Sequence, residues 1–160
     1  MPTGATIPFK VLRAKIGSLL LAQSMLITFC VSCRTDESRT TGEKFVQHFH
    51  ELFNEEQHQQ IYRLFDEPYR GSVSAADNEA LFAMLKQKMG DVTQSRLTDW
   101  EVNSSTFGRT VILQYTTQYA NGSGDERFIL GIRGQQVVLL NYDVKSPLLM
   151  ENFNGKVTLE

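Results

Sequence analysis

Cysteine is scarce in this 160-residue chain, and its placement matters more than its count. The only two, Cys30 and Cys33, lie near the N-terminus, and none follows. A disulfide scaffold and a thiolate metal site are therefore both excluded for everything after Cys33. Basic charge is short as well. Three of the 16 Lys and Arg residues precede Cys33 and none of the 18 Asp and Glu residues do, so the remainder carries 13 against 18, a net of −5. That balance argues against nucleic acid, whose binding rests on neutralising phosphates. No Lys/Arg cluster follows Cys33, so a polybasic membrane signal is missing too. G-x-S-x-G, H-E-x-x-H, P-loop and G-x-G-x-x-G patterns are all absent. The glycines of Asn121-Gly122-Ser123-Gly124 fall between two strand-like runs, where a hairpin turn accounts for them. No internal repeat or low-complexity segment appears, and the residues past Cys33 suffice for one domain with its own core.

What is present begins with Lys10 to Cys33. Lys10, Arg13 and Lys15 make a positive start, and Ile16 to Val31 is an apolar run interrupted by small or weakly polar residues and Gln23. A charged start, a short apolar core and a small residue, Ser32, have the form of an export signal. The core falls short of the ~20 residues a spanning helix needs. Its ending in Val31-Ser32-Cys33 resembles the lipobox of bacterial lipoproteins, with Cys30 standing where a branched aliphatic is usual. The resemblance implies a signal peptide over residues 1–32, a diacylglyceryl group on Cys33, and a membrane anchored through that lipid in the cell envelope. Arg34, where an aspartate would mark inner-membrane retention in Gram-negative sorting, favours the periplasmic face of the outer membrane. Plain secretion and an uncleaved anchor are the competing readings.

Residues 33–41 read as the lipidated cysteine and a flexible polar tether, R-T-D-E-S-R-T-T after Cys33, with no apolar periodicity. Thr40 and Glu43 have capping-box spacing, and Phe45, Phe49, Leu52 and Phe53 form one helical stripe. Ile61, Leu64 and Phe65 continue a helical pattern that Asp66-Glu67-Pro68 stops. Ser74 is a candidate N-cap for a further helix with Leu81, Leu85 and Met89, flanked by Phe82 and Met84, on its face and Gly90 at its end. From Val92 the period changes to two. A weaker strand around Leu97 to Val102 carries Trp100. Phe107 to Tyr119 follows, with Val111, Leu113, Tyr115, Thr117 and Tyr119 on one face. Glu126, Phe128, Leu130 and Ile132 share a face of the next strand, and Val138, Leu140, Tyr142 and Val144 share a face of the last. Short turns make these strands antiparallel. The expected fold is α+β over residues 42–160: N-terminal helices packed on an antiparallel meander of about four strands.

Helices followed by such a meander resemble the nuclear transport factor 2-like and cystatin-like cone folds. The matching residues are the Val/Tyr strand from Thr110, the glycine-bearing turn, Glu126-Arg127-Phe128 opening a strand, and Tyr142-Asp143-Val144 ending the last. Val137-Val138 stands where a tryptophan is usual. The resemblance implies helices in the concave face of a curved sheet and a cavity between them. It also implies a small apolar ligand in that cone or a protein partner on the open sheet face. A homodimer paired through the sheets is a further implication, with Ile112 and Ile129 as the outward apolar residues. In the resembled isomerases and dehydratases the cavity is catalytic. Tyr115, Tyr119 and Tyr142 are then candidates to face it, with Asp99 or Asp143 as the carboxyl of a proton-transfer pair. Strand tyrosines also pack well for purely structural reasons. No cofactor is implied.

Two further clusters have other plain readings. His48, Glu51, Glu55 and His58 would lie within about 80° of one another on a continuous helix, and imidazole with carboxylate ligands could hold zinc. A solvated helix face explains them equally, so no metal is expected. Arg127 and Arg133 could make a small anion patch, though arginines on an exposed sheet face commonly serve solubility.

Overall fold

A computed structural model describes residues 36–106 and 108–150 of the chain. The lipobox-like segment, Cys33 and residues 151–160 lie outside the described residues. Of the unit Met1–Glu37 only residues 36 and 37 are described, and Ser38 onward belongs to one compact unit. No helix among the described residues is long and apolar enough to cross a membrane.

The first helix, α1, occupies residues 36–54. This corrects the tether expected over 33–41 wherever that stretch is described, because residues 36–41 are helical. The reason is tertiary. Ser38 is buried and its hydroxyl accepts from Arg109 Nη1 at 2.7 Å. Arg39 pairs with Glu43 at 3.1 Å and lies over the Trp100 ring, 5.3 Å from its centroid. Thr40 and Glu43 are therefore inside a helix, not at its cap. Val46, Phe49, Leu52 and Phe53 form the buried face, with Phe45 packed partly against it. At Gly42 an added Cβ would come within 2.9 Å of Leu113 Cδ1, so the bare backbone lets α1 lie close on the sheet.

Lys86 closes the end of α1 by donating to the carbonyls of Phe53 and Asn54, at 3.2 and 2.7 Å, the Phe53 carbonyl also accepting from Glu56 N–H. The Asn54 amide pairs with both the C=O and the N–H of Val92, at 2.9 and 2.8 Å, tying α1 to the start of the sheet. Two short helices follow, α2 (His58–Leu64) and α3 (Glu67–Ser72). Asp66-Glu67-Pro68 starts a helix as well as stopping one: Asp66 accepts from Tyr69 N–H at 3.1 Å, and Pro68 sits in the first turn, where no N–H is needed.

The longer α4 (Ala75–Met89) begins and ends as expected, on Ser74, which accepts from Asp77 N–H, and on Gly90 at φ 78°. Its buried stripe is Asn78, Phe82, Leu85 and Met89: Leu85 and Met89 face inward as expected, whereas Leu81 is exposed with Met84 and Phe82 takes its place.

Four antiparallel strands run in the order β1-β2-β3-β4: β1 (Val92–Ser105), β2 (Gly108–Tyr119), β3 (Gly122–Arg133) and β4 (Gln136–Lys145). The α+β class and the meander are as expected. On β2 every second residue from Val111 to Tyr119 is buried, and on β3 the same holds from Gly124 to Ile132. The last strand departs from expectation. Ile129 pairs with Asn141 but Leu130 with Leu139, so Leu140 is an extra residue and the strand changes phase there. Val137 and Leu139 face the core ahead of the bulge, and Tyr142 and Val144 face it after. The bulged Leu140 lies over Gly131, which has no side chain to oppose it. A short helix, α5 (Pro147–Met150), follows, with Leu148 and Leu149 packed on the core.

Candidate functional site

The space between helices and sheet is filled by rings. Phe49 packs edge-on to Phe82 and Phe128 at 5.8 and 5.1 Å between centroids, and Tyr142 lies 4.8 Å from Phe49 and 5.0 Å from Phe128. Within this aromatic core sits one carboxylate. Glu126 is on the inward face of β3, in phase with Phe128 and 2% exposed. Its Oε2 lies 2.8 Å from Nε2 of His50 and accepts from the Thr117 hydroxyl at 2.5 Å, while its Oε1 accepts from the Tyr142 hydroxyl at 2.8 Å. Three elements of the fold, α1, β2 and β4, thus each send one donor to a residue of β3.

Burial by itself pushes the Glu126 carboxyl up. The hydrogen bond and charge of His50, followed by the bonds from Thr117 and Tyr142, outweigh it and hold the group below its ordinary value. The tyrosines respond in the opposite sense. Burial, then the charge of Glu126, pushes Tyr119 and Tyr142 well above the phenol range. Tyr115 is pushed up to about 12 by burial first and then by Glu43 and Glu126.

His50 and Tyr115 form the floor of a cleft of about 560 Å³ between α1 and β1, walled by Glu43, Gln47 and Glu51 on one side and by Val92–Ser95 on the other. With Nε2 held by Glu126, the His50 ring has Nδ1 left for a further hydrogen bond, as an acceptor when the ring is neutral and as a donor when it is charged. The Tyr115 hydroxyl, protonated throughout the physiological range, can donate one.

The expected site residues are only partly assembled here. Tyr115, Tyr119 and Tyr142 do face inward. Asp99 and Asp143 do not: both are exposed, Asp99 accepting from Gln114 Nε2 at 3.1 Å, and Asp143 lying opposite Arg127 on the outer face. The carboxyl that meets the tyrosines is Glu126. The four proposed metal ligands are not on one helix, because α1 ends at residue 54 and Glu56 turns the chain at φ 56°. His48 and Glu51 are an exposed pair at 3.7 Å. Glu55 lies in the turn. His58 is buried on α2 against Phe82, its Nε2 without a hydrogen-bond partner. Among the described residues no group of three or more His, Asp or Glu side chains could hold a metal ion.

Sequence reasoning missed His50 and Glu126 as a pair, yet each carried a signal. His50 follows Phe49 and stands four residues after Val46, on the buried stripe, and Glu126 alternates with three core residues. No protein-family model matches the chain, and no curated protein matches it.

Proposed function

We propose that this chain is a lipid-anchored lipoprotein of the bacterial envelope, on the periplasmic face of the outer membrane in a Gram-negative cell. In this reading its domain, of the nuclear transport factor 2-like or cystatin-like kind, binds a ligand in the cleft between α1 and β1. The anchor rests on Lys10 to Cys33, and the fold type on the helices preceding a four-stranded meander. One observation carries the binding reading: a buried, ionised Glu126 orients His50 at the floor of an open cleft. A buried carboxylate and its partner are weak contributors to stability, since desolvation offsets most of their attraction. A pair of this kind beneath an opening therefore supports recognition over mere support. The aromatic filling of the interior favours a ligand at the rim over one in the middle of the cone.

A second reading has a specific basis. An imidazole oriented by a buried carboxylate, beside a protonated Tyr115, is the equipment of a proton-transfer enzyme of the isomerase or dehydratase kind. Here His50 is the base and Tyr115 the hydrogen-bond donor.

Native mass spectrometry on the full chain released from membranes in mild detergent tests both readings. A retained small molecule or polypeptide that is lost in His50→Ala supports the cleft; retention unchanged by that substitution sinks it. A homodimer without ligand would instead make the outer face carrying Ile112 and Ile129 the working surface. Metabolic labelling with an alkyne fatty acid tests the anchor, and label persisting in Cys33→Ser would refute it.

A further inference from the structure

Four consecutive residues of β1, Val92 to Ser95, line the cleft. Successive side chains of a strand point to opposite faces, so a wall made of consecutive residues is a strand met edge-on. β1 stands at the end of the sheet order, and among the described residues it pairs with β2 alone. The opposite edge is treated differently. Phe65 bridges Leu139, and the Asp66 N–H donates to the Leu139 carbonyl at 3.0 Å, so the link between α2 and α3 lies against β4. Across the cleft from the β1 edge runs α1. An edge strand facing a helix across a gap is an arrangement in which an extended segment adds as one more strand, main-chain bonds giving affinity and alternate side chains giving selectivity.

We propose that the occupant of the cleft is an extended segment of another polypeptide, carrying a basic residue, which adds to β1 as a fifth strand. This rests on the reading of the cleft as a binding site and names what fills it. Two features set its terms. Val92 is already bonded to the Asn54 amide, and register shifts at Val92/Gln94 and Leu97/Asp99 bound the regular stretch beside the cleft, Gln94 to Leu97, so the added strand pairs there over about four residues, or about 13 Å. Charge selects the partner: Glu43 is paired with Arg39, but Glu51 stands exposed on the α1 wall, in a domain with more acids than bases. A lysine or arginine of the segment, directed at α1, meets that wall.

The test uses the full chain in mild detergent, phage-displayed random dodecapeptides as probe, and fluorescence anisotropy on the peptides selected. Selected sequences are expected to be enriched in Lys and Arg. N-methylation at every second residue of the binding stretch should weaken binding about tenfold per lost bond, and at the intervening residues hardly at all. Glu51→Lys, an exposed change, should weaken it about threefold or more, with Gln47→Lys acting in the same direction. Failure to select any peptide overturns strand addition, as does equal sensitivity to N-methylation at all positions or indifference to both lysine variants. A small molecule retained in the cleft with no peptide selected removes this inference and leaves the binding reading standing. Neither being retained removes both.

Discussion

Replacing Glu126 tests the buried network directly. The carboxylate accepts from His50, Thr117 and Tyr142 within 2.8 Å. Alanine would leave all three donors unpaired in a nearly dry interior, and breaking a buried pair by removing one partner costs about 3–5 kcal/mol. Glutamine is gentler. Its oxygen can take the place of Oε2 and its amide can donate to the Tyr142 oxygen, so mainly the charge assistance is lost, about 2 kcal/mol. Urea unfolding of the full chain in mild detergent, followed through the single tryptophan, Trp100, measures both. The pH dependence separates charge from packing. Glu126 is held below its ordinary 4.5 in the fold, so just below that value the unfolded chain binds the proton more readily than the folded one. Its stabilising contribution is therefore complete above about pH 4.5 and disappears as pH falls through the depressed folded value. The wild type should lose its advantage over Glu126→Gln on acidification. An alanine cost below about 1 kcal/mol, or a wild-type advantage unchanged by acid, would refute the reasoning.

Phe49→Ala, removing the ring that touches Phe82, Phe128 and Tyr142, should cost about 3–5 kcal/mol by the same assay. Gly90→Ala places a side chain at φ 78° and ψ −163°, with its Cβ 2.8 Å from that of Ala120. The backbone alone should cost about 1–3 kcal/mol, visible as a lower urea midpoint. Asp99→Asn and Asp143→Asn, both on exposed side chains, should stay within about 0.5 kcal/mol of wild type and leave ligand retention unchanged. Loss of retention in either would move the site to the outer sheet face.

Local chemistry alone determined much of this molecule. Period-two alternation placed the inward residues of β2 and β3, because a strand with one buried face admits only one phase. Ser74 and Gly90 marked the ends of α4, because a side-chain cap and a positive φ are local requirements. Tertiary contacts decided the rest. Residues 36–41 carry no apolar period and are helical because Ser38 and Arg39 find partners on the sheet, Arg109 and Trp100, that the linear order does not show. The phase of β4 reverses at Leu140, a bulge that depends on the gap above Gly131 in the neighbouring strand. His50 and Glu126, 76 residues apart, become a pair only when α1 is laid on β3. Each sits on an apolar stripe where a polar residue looks like an interruption. What each polar group does there depends on which donor or acceptor arrives from another element, and that is set by packing.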